Sequence, residues 1–174
     1  LIGHRISPLH LILDVDPRHG GKETWDALKA EMPDVTPRTH MSGRGDGGGH
    51  VWFQRPADKV TITKLDTWAR ERGVGHQVNE RWVCGIDILR HEHRYTIMPP
   101  SHHPETGRPY YWGKGRGLNI DPAPMPQLLV DLIVRDEPPA PAAPSTKLHD
   151  VDSIADWYTS QATWGALLVA HGWL

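Results

Sequence analysis

The sequence predicts a mixed α+β domain, on three observations. His10-Leu11-Ile12-Leu13-Asp14-Val15 is an apolar run of strand length that ends in acidic residues. Pro17 and Gly20-Gly21 follow at once, and then Lys22 to Glu31 places Trp25, Ala27 and Leu28 at helical spacing before Pro33 closes the segment. The chain also carries 17 Gly and 16 Pro, which interrupt any long helix and argue against a bundle. At 174 residues, 38% of them hydrophobic, it can bury one core of its own.

The remaining elements follow in order. Arg38 to Ser42 and His50 to Gln54 are expected to pair as a hairpin across Gly43-Arg44-Gly45-Asp46-Gly47-Gly48-Gly49, a loop expected to be floppy unless a ligand orders it. Thr63 to Arg72 reads as a second helix stopped by Gly73, and Trp82 to Leu89 and Arg94 to Met98 read as strands ended by Pro99-Pro100. Thr106-Gly107-Arg108-Pro109 is a turn leading into Tyr110-Tyr111-Trp112, and Gln127 to Val134 is a short helix. The catalytic domain is expected to span 1–136, with a Pro/Ala-rich linker over 137–150. Residues 151–174 read as an amphipathic helical tail with Trp157, Trp164 and Trp173, too small to bury a core alone and expected to open a following region of a longer protein. Nucleotide binding is not expected to need residues beyond 136. The chain starts at Leu1 without Met, so its first residues are expected to be missing.

Charge and cysteine content exclude several classes. A net charge of −2 gives no overall basic field, so any contact with nucleic acid must be a local patch. The single cysteine, Cys84, excludes an internal disulfide framework and a thiolate zinc cluster; it reads as a small buried strand residue in a reducing, cytoplasmic setting. No apolar run reaches membrane-spanning length, and Leu1-Ile2-Gly3-His4-Arg5 is no secretory signal, so no membrane partner is expected.

Four segments carry chemistry. In Asp14-Val15-Asp16 the two acids stand two apart on a strand and face the same way, which suits either solvated acids at a strand end or a hard cation such as Mg²⁺ or Mn²⁺. Asp87, in Gly85-Ile86-Asp87-Ile88, sits among apolar residues and needs either a basic partner such as Arg90 or a metal. Gly48-Gly49-His50 puts an imidazole where a glycine turn enters a strand, so it is either a turn residue or a phosphate grip; it is neither a Walker A loop nor a dinucleotide fingerprint. Pro99-Pro100-Ser101-His102-His103, followed by Gly107-Arg108-Pro109-Tyr110-Tyr111-Trp112, offers hydroxyl, imidazole, guanidinium and aromatic faces suited to a sugar, phosphate or base, or else a packed hairpin with surface histidines.

The order of these segments resembles the bifunctional DNA primase/polymerase N-terminal (Prim-Pol) family of the archaeo-eukaryotic primase superfamily. The matching stretches are Leu11 to Gly21, Gly48 to Phe53, Gly85-Ile86-Asp87 and Pro99 to Gly107, together reaching from about Leu11 to Trp112. The resemblance implies an RNA-recognition-like catalytic core with a mixed or antiparallel sheet and flanking helices. It implies a template-directed primase/polymerase with Asp14, Asp16 and Asp87 as catalytic metal ligands for Mg²⁺ or Mn²⁺. His50, Gly48, Gly49, Ser42, Arg44, Ser101, His102 and Arg108 would then bind the nucleotide. The implied partners are a single-stranded DNA template, nucleoside triphosphates (NTP or dNTP) and a fused or associated replicative helicase, in replication of phage, plasmid or mobile-element DNA. Template phosphates would meet Arg38, Arg44, Arg55 and Lys59. Gly48 stands where the superfamily's second motif often has a serine, so a hydroxyl there must come from Ser42 or be absent. The segment that usually precedes the first acidic strand is largely missing.

Other readings use other residues. A metal-dependent replication-initiator endonuclease would use His91-Glu92-His93 with Tyr110 or Tyr111, but Glu92 is charged and Asp14, Asp16 and His50 are left without a role. An adhesion module would rest on Arg44-Gly45-Asp46 alone. A catalytically silent nucleotide- or DNA-binding relic would keep the fold and fail to incorporate nucleotide.

Overall fold

The computed structural model describes residues 1–32, 34–56, 60–62, 65–91 and 95–136. The linker and helical tail expected over 137–174 lie outside the described residues, as do Lys59, Thr63, Glu92, His93 and Arg94. In chain order the elements are β1 (Gly3–Arg5), β2 (His10–Val15), α1 (Gly21–Glu31), β3 (Arg38–Met41), β4 (Gly49–Gln54), β5 (Val60–Ile62), α2 (Asp66–Glu71), β6 (His76–Val78), β7 (Arg81–Val83), β8 (Ile86–Leu89), β9 (Tyr95–Ile97), β10 (Tyr111–Trp112), β11 (Ala123–Pro124), α3 (Gln127–Ile133) and β12 (Val134–Asp136).

The main sheet runs β10-β3-β4-β2-β8, all antiparallel, with β11 alongside β4 beyond the end of β3. Its central part is the chain path β2-α1-β3-β4-α2-β8, a split β-α-β arrangement in which each helix crossover skips over one strand. Alternation along each strand then sorts side chains by face. Leu11, Leu13, Val15, Val51, Phe53 and Ile86 all turn to one face, where they pack with Leu28 of α1, Trp68 and Ala69 of α2, and Leu129 and Ile133 of α3. Burying these apolar side chains is the main driving force for the domain. The opposite face carries a smaller apolar cluster, Ile6, Ile12, Trp52 and Leu89, and next to it the polar residues of β2 and β4.

Sequence and structure differ in three places. The single strand expected over Trp82 to Leu89 is split at Cys84-Gly85, because Gly85 takes the left-handed φ of 68° and its carbonyl accepts the Asp16 N–H at 2.8 Å. Cys84 is buried as expected, but in this connection rather than in a strand, and burial pushes its thiol up to about 12. The β6–β7 hairpin turns on Asn79 and Glu80, both at positive φ, without the Asn-Gly signal that would have announced it. The loop expected to be floppy is tied down: Ser42 N–H donates to the Gly48 carbonyl at 2.8 Å, Gly48 N–H to Asp46 Oδ1 at 3.0 Å, and Thr106 Oγ1 to the Gly43 carbonyl at 2.9 Å.

Three backbone segments meet where α1 begins. Gly21 N–H donates to the Asp16 carbonyl at 2.9 Å, and a side chain on Gly21 would strike the Gly85 carbonyl oxygen and stand 2.7 Å from the Asp16 backbone. Gly21→Ala is therefore expected to lower stability by about 2–3 kcal/mol, since the obstruction is backbone and cannot swing away. Gly73→Ala, with φ of 67° but nothing within 4 Å of the added carbon, is expected to cost about 1–2 kcal/mol from backbone strain alone. Urea unfolding of the two variants checks the order, and an equal cost would contradict the three-way contact.

Candidate active site

Strand register lines up the polar residues of the open face. Asp14 on β2 lies directly opposite Asp87 on β8 and, on its other side, opposite His50 on β4; His50 in turn faces His40 on β3, and His40 faces Trp112 on β10. Directly opposed residues in an antiparallel sheet project to the same face, so Asp87, Asp14, His50, His40 and Trp112 form a file across five strands. Asp16, two residues past Asp14 and just beyond the end of β2, is still extended and so turns to the same side. The two strand-borne acids are like charges on neighbouring strands, an arrangement that destabilises the sheet unless a cation compensates it.

The three acids differ in what they touch. Asp14 Oδ1 stands 3.1 Å from His50 Nε2. The Asp16 carboxylate accepts from Arg18 Nε and backbone N–H at 3.0 Å each and from Nη2 at 2.8 Å. Burial alone would raise the Asp16 pKa, but these Arg18 bonds outweigh it and hold the group below the usual carboxylate value. Asp87 is exposed. All three line one cavity of about 290 Å³ together with His19, Asp66 and Arg81. Among the described residues, however, no group of three His, Cys, Asp or Glu side chains stands close enough to hold a metal unaided. Asp14 and Asp87 are two facing carboxylates, the number by which Mg²⁺ or Mn²⁺ is commonly held where substrate phosphates and water complete the shell.

A second cavity of about 320 Å³ shares Asp14 and Asp16 with the first and extends over the glycine loop. Arg18, Ser42, Arg44, Gly48, Gly49, His50, His103 and Tyr110 line it. Arg44 is set by a fork to Glu105, with Nη1 and Nη2 at 2.7 and 3.0 Å from the two carboxylate oxygens. Gly48 and Gly49 are small for packing reasons: a side chain on Gly48 would meet Pro17 Cδ at 2.8 Å, and one on Gly49 would run into the His40 carbonyl. The Gly48 N–H is already given to Asp46, so the glycines make room at the cavity floor and Gly48 does not offer a free amide to an anion. Ser42 lies across the loop neck from Gly48 and lines the cavity, so a hydroxyl is present although position 48 lacks one.

The structure does not bring every expected residue to this cavity. Ser101, 6% exposed, accepts the Ile2 N–H on Oγ at 2.6 Å and gives its carbonyl to Tyr110 N–H, and so clasps the first residues of the chain. His102 is exposed and bridges to Pro109. Arg108 lies against Gly45; like Ser101 and His102, it lines neither cavity. Arg38 donates Nε and Nη2 to the Ile120 carbonyl, and Arg55 Nη1 lies 3.0 Å from His91 Nδ1. The neighbour of His102, His103, is the one that faces inward, stacked on Tyr110 with its Nε2 3.4 Å from Arg44 Nη2. Arg18 and His103 were thus missed as residues of this cavity. Arg18 and His103 lay inside recognised motifs, but which of two adjacent side chains turns inward depends on local backbone geometry that no spacing rule gives.

The site is an acidic centre on the open face of a sheet, with guanidinium and imidazole groups lining the cavity beside it. The chain matches the family described as bifunctional DNA primase/polymerase, N-terminal, over residues 2–128, and it belongs to that family. Membership gives it a primase/polymerase-type nucleotidyltransferase function. No curated protein and no solved structure matches the chain. No helix among the described residues is long and apolar enough to cross a membrane.

Within the file, His40 is fully buried and accepts the Trp52 indole N–H on Nδ1 at 3.2 Å. Burial, reinforced by the neighbouring His50, pushes its pKa down to about 3 from an ordinary value of 6.5. Between those values the unfolded chain binds a proton that the folded chain refuses, so this contribution to stability is complete above 6.5 and is lost as pH falls towards 3. His40→Gln, which keeps an acceptor for Trp52, should flatten that rise by up to about 1.4 kcal/mol per pH unit. Urea midpoints of parent and variant across the acidic range test this, and parallel profiles would show that His40 is not the titrating group.

Proposed function

We propose that the chain is a template-directed primase/polymerase that joins nucleoside triphosphates on single-stranded DNA with Mg²⁺ or Mn²⁺. One observation carries this reading: Asp14 faces Asp87 across adjacent strands at the junction of two cavities, one of them rimmed by cations. Asp14 and Asp87 would hold the ion, with Asp16 joining when its carboxylate exchanges Arg18 for metal. The bound ion would supply charge stabilisation at the attacking 3′-oxygen and at the departing pyrophosphate.

The protein's own groups do the rest. Arg18, Arg44, His103 and the Ser42 hydroxyl would receive the triphosphate, while His50, anchored in the sheet, presents Nε2 at the boundary between carboxylate and phosphate. The central order β8-β2-β4-β3 supports reading the domain as an RNA-recognition-like core, whose open sheet face is where nucleic acid is bound. Template contacts would be to phosphate, without reading sequence. The wider setting we propose is replication of phage, plasmid or mobile-element DNA, alongside a helicase.

Two substitutions test the reading by their different effects. Asp14→Ala removes a metal ligand, so turnover should collapse even at saturating nucleotide. His50→Ala leaves the metal ligands in place but removes the N–H that holds the Asp14 carboxylate, so incorporation should fall by about ten-fold or more without collapsing. The measurement is incorporation rate against nucleotide concentration on single-stranded template. Activity surviving in Asp14→Ala would overturn the metal reading, and no incorporation by the parent under any metal would favour the silent relic.

A further inference from the structure

His50 uses both ring nitrogens. Nε2 meets Asp14 at 3.1 Å, and Nδ1 meets Thr96 Oγ1 at 2.5 Å. Thr96 belongs to β9, which is not part of the main sheet: its partner is β1, with His4 opposite Thr96. It is 1% exposed, and a hydroxyl so buried needs a hydrogen-bond partner, which His50 supplies. The imidazole is therefore clamped between an acid of the central strand and a hydroxyl brought in by a separate two-stranded ribbon. His50 is itself only 13% exposed, so its ring has little room to turn.

We infer that Thr96 is a positioning residue, which fixes the orientation of the His50 ring so that the Nε2 hydrogen demanded by Asp14 points at that carboxylate and at the shared edge of the two cavities. The chemistry of the pair requires this orientation. A carboxylate accepts only, so the nitrogen facing Asp14 has to be the protonated one. Thr96 can satisfy the other nitrogen whether that nitrogen accepts or donates, because a hydroxyl does both. A carboxylate ligand is held by its hydrogen-bond partners as much as by its backbone, and Thr96 acts one step further out through His50. The same ribbon carries the chain's first residues, which Ser101 clasps through the Ile2 N–H, so the N-terminal strand supports the site through Thr96. This inference rests on the proposed function for its kinetic consequence and not for its structural one.

The test combines ¹⁵N NMR of the His50 ring with kinetics, using parent, Thr96→Val, Thr96→Ser, His50→Ala and the Thr96→Val/His50→Ala pair. In the parent, Nε2 should be protonated, and Thr96→Val should broaden or shift that signature while Thr96→Ser restores it. Thr96→Val should lower incorporation in the same sense as His50→Ala but by less, because Thr96 acts on the metal ligand only through His50. It should have no further effect once His50 is alanine. An unprotonated Nε2 in the parent, an unchanged ring signature in Thr96→Val, or an equal loss in the His50→Ala background would each overturn the assignment. The NMR result stands even if the parent incorporates no nucleotide, so failure of this inference and failure of the enzymatic reading are told apart.

Discussion

Two aspartates facing each other across neighbouring strands set the terms for this domain. The Asp14–Asp87 pairing follows from the register of β2 with β8, and that register cannot slip by one residue without turning Leu13 and Val15 out of the core. The apolar face therefore enforces a like-charge contact on the polar face. Folding accepts the repulsion because burial of the other face outweighs it, and a cation would relieve it. His50, on the far side of Asp14, offers a partial remedy that the sheet itself provides.

The remaining features keep this arrangement in place. The Gly85 carbonyl binding Asp16 N–H, and Gly21 N–H binding the Asp16 carbonyl, lock the acidic strand end to β8 and to the start of α1. Arg18 neutralises Asp16, and Glu105 and Asp46 flank Arg44, so the cations at the cavity are held by acids that an anionic ligand would have to outcompete. Such surface pairs contribute little to stability individually. Their value lies in orienting side chains towards a common space. The file Asp87-Asp14-His50-His40 thus runs from exposed to fully buried, from the site into the domain.

Much of this was legible in the chain. The run from His10 to Val15 announced β2, and the two-residue spacing of Asp14 and Asp16 announced a shared face. Asp87 was legible because an acid among Gly85, Ile86 and Ile88 is out of place. Less legible was anything that depends on contacts between distant segments. The split of β7 from β8 comes from a backbone bond to Asp16, and the inward turn of His103 in place of His102 comes from packing on Tyr110. Thr96 was invisible, since a threonine in a strand has no signal until the ribbon that carries it is laid against His50. The glycines at 48 and 49 read either as part of a turn or as a phosphate grip, and close approach of Pro17 and of the His40 carbonyl gives each a packing reason that the sequence does not show.

The central claim is that Asp14 and Asp87 form one cation site completed by nucleotide phosphate. Calorimetric titration of Mn²⁺ into the protein, with and without a non-hydrolysable nucleoside triphosphate, tests it directly. The expected result is binding that tightens when nucleotide is present and is lost in both Asp14→Asn and Asp87→Asn. Mn²⁺ binding that ignores the nucleotide, or that survives in either variant, would contradict the account.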